Sequence, residues 1–219
     1  MNKILVTGAN RGIGLELCRQ LHDRGDEIIA VCRAGSSELR SLNVRVIESI
    51  DVSSPDSIGL LKDQLAGERI DWLINNAGML AVETLDSLDF ETIEQQFRVN
   101  AMGPLRVTAA LSGNLSNNSK VGIITSRMGS IGDNTSGSYY GYRVSKAAVN
   151  MAGMSLAQDL QERGIAVALL HPGMVATEMT GRQGIPPAES VAGLIQRMDE
   201  LEMAKSGSFW HANGELLPW

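Results

Sequence analysis

The chain has 219 residues, of which 43% are apolar and 20% are charged, values typical of a globular protein with a hydrophobic core. Its 19 basic and 25 acidic residues give a net charge of −6, which argues against nucleic-acid binding because such proteins usually carry a basic surplus. No apolar run approaches the roughly 18 residues of a membrane helix, and the amino terminus lacks the apolar core of a signal peptide.

The cysteine and histidine content argues against disulfides and metals. Two cysteines, Cys18 and Cys32, are too few for a disulfide framework, and the 3 histidines are scattered rather than set at ligand spacing. We therefore expect a cytoplasmic protein that binds no metal and has no nucleic-acid or membrane partner.

Short apolar runs alternate with helical patterns along the whole chain. The predicted strands are 3–7, 28–32, 44–50, 72–75, 120–126 and 165–171, with a seventh at 206–210. The predicted helices are 13–24, 55–67, 88–115, 142–163 and 188–204. The strands are rich in Val, Ile and Leu, which is typical of parallel strands buried on both faces. The alternation predicts an α/β fold, a doubly wound parallel sheet with helices on both faces.

The chemically distinctive residues come after the predicted strands and not before them. In chain order they are the segment 8–14, Arg33, Asp51, the segment 75–78, Ser126 and the segment 172–177. Ligands of such sheets bind beyond the carboxyl ends of the strands. We therefore expect these residues to share one ligand site.

A glycine loop joins the first strand to the first helix. Gly8, Gly12 and Gly14 permit a tight turn and let a diphosphate approach the helix amino terminus, where free N–H groups point outward. A plain turn that happens to hold three glycines is the alternative, but the position at the start of the first helix favours a dinucleotide. The expected contacts in this loop are Gly8, Asn10, Arg11, Gly12, Ile13 and Gly14.

The residues after the second and third strands indicate which dinucleotide binds. An NAD site usually has an acid after the second strand, whereas this chain has Arg33 there. Arg33 and Arg11 would converge on a 2′-phosphate, so we expect NADP(H) to be preferred over NAD(H). Solvated surface arginines are the alternative. Asp51 and Val52 are expected at the adenine, with a helix cap before Pro55 as the alternative for Asp51.

Tyr142 and Lys146 are four residues apart on a helical pattern and so share one helix face. A phenol titrates near ~10, and lowering its pKa by about three units needs ~4 kcal/mol. A lysine on a wet helix cannot supply that, but a dry site that also holds a positively charged nicotinamide ring would. A chance pairing of an aromatic residue with a lysine is the alternative.

Taken together, the motifs resemble those of the classical short-chain dehydrogenases/reductases. In that family's order they are Thr7-Gly8-x-x-x-Gly12-Ile13-Gly14, Asn75-Asn76-Ala77-Gly78, Asn100, Ser126, Tyr142-x-x-x-Lys146 and Pro172-Gly173-x-Val175-x-Thr177. The resemblance implies one dinucleotide-binding Rossmann domain over residues 1–219 with a seven-stranded sheet. It also implies a homodimer or homotetramer that pairs through helices 88–115 and 142–163.

The resemblance also implies a role for each matching residue. Tyr142 would be the general acid/base, Ser126 would bond the substrate oxygen, and Lys146 would bind the nicotinamide ribose and lower the pKa of Tyr142. Asn100 would hold a water of a proton relay. The remaining cofactor contacts would be Asn76, Ala77 and Gly78 on the adenosine side, and Pro172, Gly173, Val175 and Thr177 near the carboxamide.

Segments 139–150 and 213–219 are similar to the C-factor-like and sniffer-like carbonyl-reductase branch. The implied activity is NADP(H)-dependent hydride transfer to or from a small carbonyl or alcohol. A C-factor-type signalling protein with little turnover is the alternative, and an NAD-type epimerase or dehydratase is a third. The short connection 178–187 predicts an open substrate pocket, and a tail follows at 206–219.

The segment 127–141 runs longer than the usual family version and reads as a loop. Ser130 and Ser138 are therefore alternatives to Ser126. Tyr139 and Tyr140 are alternatives to Tyr142, but neither has a lysine four residues on.

Overall fold

The structure is a computed structural model that describes residues 1–219. Its centre is a seven-stranded sheet in the order β3-β2-β1-β4-β5-β6-β7, and every neighbouring pair is parallel. The strands are β1 (Lys3–Thr7), β2 (Glu27–Val31), β3 (Arg45–Ile47), β4 (Trp72–Asn75), β5 (Lys120–Ile124), β6 (Ala166–His171) and β7 (Ser208–His211). The predicted doubly wound α/β sheet is confirmed.

Seven α-helices flank the sheet. They are α1 (Gly12–Asp23), α2 (Ser37–Ser41), α3 (Pro55–Gln64), α4 (Phe90–Phe97), α5 (Gly103–Ala110), α6 (Tyr140–Asp159) and α7 (Pro187–Glu200). None of them combines the length and the hydropathy that crossing a bilayer requires. Helix α2, a single short turn capped by the side chain of Ser36, was not predicted from the sequence.

Alternate residues of each strand face opposite sides of the sheet and build two separate cores. Ile4 and Val6 pack into one cluster of 22 buried residues, which also contains side chains of α1 and α7. Leu5, between them, belongs to the second cluster of 22, against α3, α5 and α6. Burial on both faces is the reason that the strands read as continuous apolar runs.

The predicted strand 44–50 is shortened to β3. Ser49 has a φ of 64°, a left-handed conformation that turns the chain out of the sheet. The N–H of Ser49 still bonds the carbonyl of Arg33 at 3.0 Å. The turn therefore brings the segments after β2 and β3 together.

The predicted helix 88–115 is wrong as one element, because it divides into α4, a π-helical turn (Arg98–Met102) and α5. Pro104 has no N–H to bond the carbonyl of Asn100, so the ordinary helical ladder is interrupted at that point. The turn closes instead with the wider bond from Gly103 N–H to the carbonyl of Arg98. The Gly103-Pro104 pair was the available sequence signal.

The tail after β7 folds back on the sheet edge. Trp210 is buried within β7, and the Trp219 ring stacks on Phe209 with ring centres 5.4 Å apart. The carbonyl of Trp219 accepts the N–H of Gly132 at 2.9 Å. The tail thus contacts the loop that precedes α6.

Candidate active site

One cavity of about 1590 Å³ opens at the carboxyl ends of the strands. Every predicted catalytic or cofactor-contacting residue lines it except Asn100, whereas Ala9 and Asn75, which fall within the predicted segments 8–14 and 75–78, do not. Of the alternatives, Tyr139 lines the cavity, whereas Ser130, Ser138 and Tyr140 do not. The order of residues along the chain therefore identified the groups that the fold brings together.

The glycine turn needs its glycines. Gly8 and Gly12 have φ values of 65° and 54°, a region that side chains rarely adopt. A Cβ on Gly14 would overlap the carbonyl oxygen of Gly8 and lie 2.5 Å from Nδ2 of Asn76. No side chain caps the amino end of α1, so its first N–H groups face the cavity free to bind a phosphate. The turn fits the diphosphate of a dinucleotide.

Thr7 locks this turn to the segment after β4. Its Oγ1 accepts the N–H groups of Asn76 and Ala77, at 3.0 and 3.1 Å. Asn76 in turn donates from Nδ2 to the carbonyls of Thr7 and Gly8, at 2.9 and 3.2 Å. This role of Thr7 was not predicted, because no local pattern marks a hydroxyl that bonds a segment about 70 residues away.

The two arginines expected at a 2′-phosphate differ in their ion pairs. Arg11 forms an ion pair with Glu178, across the cavity mouth. Arg33 has no carboxylate within ion-pair distance, but its charge acts on Asp51. Burial raises the pKa of Asp51, and hydrogen bonds from Ser53 together with the charge of Arg33 outweigh that effect and lower it. Of these two arginines, only Arg33 is left without a carboxylate partner.

Asp51 does not cap the helix that follows it. The cap of α3 is Ser54, whose side chain accepts the N–H of Ser57 at 3.3 Å. Asp51 instead accepts the N–H and the hydroxyl of Ser53, at 2.8 and 2.7 Å. The helix-cap interpretation of Asp51 is therefore wrong, and its carboxylate lines the cavity beside Val52.

Ser126, Tyr142 and Lys146 meet at the inner end of the cavity, and all three are buried. Nζ of Lys146 lies 5.6 Å from the centre of the Tyr142 ring and donates to the carbonyl of Ile124 at 2.9 Å. Ser126 lies two residues beyond the end of β5 and caps the following turn, where its Oγ accepts the N–H of Met128 at 3.1 Å. The helical spacing of Tyr142 and Lys146 therefore places both on the cavity side of α6.

Burial is the largest influence on the pKa values of Tyr142 and Lys146. It raises the pKa of Tyr142 to about 12, against a smaller lowering by the Ser126 hydroxyl. It lowers the pKa of Lys146 to about 8. The expected lowering of the Tyr142 pKa by Lys146 is thus not produced by the protein groups alone, because desolvation penalises the phenolate more than these neighbours favour it.

Asn100 lies in the π-helical turn, behind the cavity wall. Its Oδ1 accepts the N–H of Met79, and its Nδ2 donates to the carbonyl of Met79 and to Oγ of Ser145, at 2.8, 2.8 and 3.0 Å. Ser145 was not predicted, since its importance depends on a residue 45 positions away. Asn100 therefore ties the segment after β4 to α6.

His171, at the end of β6, packs edge-on against His211 with ring centres 4.9 Å apart. Burial, helped by the charge that His211 would carry, lowers the pKa of His171 to about 3. The ring is therefore neutral at physiological pH. A structural role for this histidine agrees with its surroundings.

Comparison with known proteins identifies the family. The family model described as short chain dehydrogenase matches residues 2–186. A 1-hydroxy-2-glutathionyl-2-methyl-3-butene dehydrogenase of Rhodococcus sp. (strain AD45) is 42% identical and is aligned over 100% of both chains. The C-signal of Myxococcus xanthus is 43% identical over 68% of this chain and 93% of its own.

Solved structures agree in fold over the whole chain. A carbonyl reductase from Pseudomonas aeruginosa PAO1 in complex with NADP is 33% identical, with a TM-score of 0.89 and 100% coverage of both chains. The carbonyl reductase Sniffer of D. melanogaster is 26% identical, with a TM-score of 0.91 and the same coverage. The C-signal and Sniffer matches support the branch that the sequence resembles. A chain with this sheet, this glycine turn and these relatives belongs to the short-chain dehydrogenase family of oxidoreductases.

Proposed function

We propose that the protein is an NADP(H)-dependent carbonyl reductase or alcohol dehydrogenase in which Tyr142 is the general acid/base. The observation that carries the proposal is the convergence of Ser126, Tyr142 and Lys146 on the cavity that begins at the glycine turn. The NADP-bound carbonyl reductase at 33% identity supports the choice of coenzyme and reaction.

The hydroxyls of Ser126 and Tyr142 hold the substrate oxygen. In reduction Tyr142 donates its proton to that oxygen, and in oxidation it accepts the proton. The coenzyme, when bound, supplies or takes up the hydride. Lys146 has no carboxylate partner, and with a pKa of about 8 it is mostly a cation at neutral pH. The charge of Lys146 favours the phenolate that proton donation leaves behind. We further propose a proton relay through a water at Asn100.

Arg33 is expected to select the coenzyme. Arg11, the other candidate, is already paired with Glu178. Changing Arg33→Asp should weaken NADPH binding about 10- to 100-fold, since hydrogen bonds to charged groups contribute roughly 1.5–3 kcal/mol. NADH binding should change little. Fluorescence titration of both coenzymes measures this, with Arg69→Asp, an exposed site outside the cavity, as the matched charge control. Equal affinity of the unaltered protein for both coenzymes contradicts the assignment.

The charges around the cavity favour an anionic substrate. Three lining arginines face acids, namely Arg11, Arg19 and Arg127. Arg143 and Arg182 line the same cavity without a carboxylate in ion-pair distance. Arg182 is exposed, and the partly buried guanidinium of Arg143 donates only to neutral carbonyl and hydroxyl oxygens. Both charges therefore stay unneutralised and would attract a substrate carboxylate. The Rhodococcus relative is named for a substrate with a glutathionyl group, and such a group carries carboxylates.

The test is NADPH oxidation with matched neutral and anionic carbonyls, such as 4-nitrobenzaldehyde and 4-carboxybenzaldehyde, and NADP⁺ reduction with glutathionyl alcohols. We expect turnover of both aldehydes and a lower KM for the carboxylate. Absence of turnover when NADPH binding is demonstrated contradicts the enzymatic proposal. Equal KM values contradict only the anionic preference.

A signalling protein of the C-factor type is the second candidate, and the C-signal of Myxococcus xanthus supports it. It predicts that a Tyr142→Phe variant retains the cellular role of the protein. Loss of that role with loss of turnover favours the enzyme.

We also propose a cytoplasmic homodimer or homotetramer. Cys18 and Cys32 are buried and unpaired, as expected in a reducing compartment. The helices α4 to α6 expose apolar side chains in the regions expected to pair, namely Phe90, Phe97, Leu105, Val144 and Met151. Light scattering should report a dimer or tetramer that Met151→Glu dissociates, and a monomeric unaltered chain contradicts this assembly.

A further inference from the structure

We infer that Glu83 is a positioning residue for Tyr142, because its buried carboxylate caps the amino end of α6 from a separate segment of the chain. The inference rests on the proposed role of Tyr142. Glu83 lies in the connection between β4 and α4, outside the motifs that identified the site.

The helix α6 has no cap of its own. Tyr139 precedes it with a φ of 54°, and no side chain of its own segment bonds the first turn. The first N–H groups of a helix need partners from elsewhere. Oε2 of Glu83 accepts the N–H of Gly141 at 3.2 Å, and the carbonyl of Glu83 accepts the N–H of Tyr139 at 2.8 Å. Glu83 therefore bonds the residue that precedes α6 and a residue in the first turn of α6.

The carboxylate of Glu83 is held by N–H donors alone. Glu83 is 2% exposed and Gln96 is fully buried. Nε2 of Gln96 donates to Oε1 of Glu83 at 2.5 Å, and Oε1 of Gln96 accepts the N–H of Ala81 at 3.0 Å. No lysine or arginine lies within ion-pair distance of Glu83. A buried carboxylate is stabilised here by charge-assisted hydrogen bonds and by the positive end of the helix.

The packing leaves little freedom to the residue before Tyr142. A Cβ on Gly141 would collide with Nε2 of Gln96 and lie 3.0 Å from Oε1 of Glu83. On the other side of Tyr142, Asn100 bonds both Met79, in the same connecting segment, and Ser145 of α6. The connection 79–83 is thus hydrogen-bonded to α6 at Gly141, before the tyrosine, and through Asn100 at Ser145, after it. Loss of the hydrogen bond between Glu83 and Gly141 would let the phenol move relative to Ser126.

The experiment compares Glu83→Ala with Asp89→Ala in the full chain. Asp89 is an exposed carboxylate cap of α4 that accepts the N–H groups of Glu91 and Thr92, so its loss also removes a helix cap. For Glu83→Ala we expect kcat for carbonyl reduction to fall about 10- to 100-fold, the effect of a misplaced catalytic group. The NADPH dissociation constant should change less than about twofold, and amides 140–146 should exchange faster with deuterium.

Asp89→Ala should leave kcat and exchange in α6 unchanged. Glu83→Gln keeps one acceptor and should recover part of kcat. If Glu83→Ala does not fold, Glu83→Gln and Gln96→Ala give the same comparison. An unchanged kcat, or a loss no larger than that of Asp89→Ala, overturns the inference. A Tyr142→Phe variant as active as the unaltered protein contradicts the proposed function instead, so the two failures are distinguishable.

Discussion

Replacing Tyr142 with phenylalanine is expected to lower kcat/KM for carbonyl reduction by about 10²- to 10⁴-fold, the usual contribution of a positioned proton donor. The substitution removes one oxygen and keeps the ring, which is only 9% exposed. Because burial raises the pKa of the phenol to about 12, the native side chain is protonated at neutral pH, which is the state that the proposed proton donor requires.

The measurement is steady-state NADPH oxidation, together with thermal unfolding and NADPH titration. Both of the latter should be nearly unchanged, since the phenylalanine ring fills the same space. Tyr140→Phe is the matched control, because Tyr140 begins the same helix but does not line the cavity. Retention of full activity by Tyr142→Phe would remove this residue from the chemistry.

Adding one methyl group at Gly14 is expected to abolish measurable NADPH binding at micromolar concentrations. The new Cβ would overlap the carbonyl oxygen of Gly8 and approach Nδ2 of Asn76 to 2.5 Å. Because the first obstacle is backbone, α1 and the glycine turn must separate, which costs about 1–3 kcal/mol of folding stability. The same movement displaces the N–H groups proposed to bind the diphosphate.

Gly59→Ala makes the same chemical change as Gly14→Ala, but we expect it to raise the stability of the chain and to leave NADPH binding unchanged. Gly59 lies inside α3, and a Cβ there meets no atom within 4 Å. Alanine should therefore stabilise the chain by about 0.5–1 kcal/mol, because glycine is a poor helix former. Thermal unfolding and NADPH titration of both variants test the pair, and normal NADPH affinity in Gly14→Ala contradicts a turn built for close approach.

Much of the fold was predictable because its signals are local. The strands are buried on both faces and read as apolar runs, so β1 and β4 were predicted at their observed bounds. The break in the predicted helix 88–115 was missed, although Pro104 carries the physical reason for it.

The candidate site was predictable in membership but not in its contacts. Parallel strands bring their carboxyl ends to one edge, so residues that follow strands collect in one cavity. The pairing of Arg11 with Glu178 joins residues 167 positions apart, which no local pattern reports. The same is true of Glu83 and Gly141, 58 positions apart.

By itself, the sequence determined the alternation of strands and helices, the glycine turn and the residue types at the strand ends, because periodicity, chain order and side-chain chemistry are properties of the linear chain. Only the tertiary structure decided which of Arg11 and Arg33 stays unpaired, how far burial raises the pKa of Tyr142 and what caps its helix. Those outcomes depend on distances and desolvation between groups that meet only when the chain is folded.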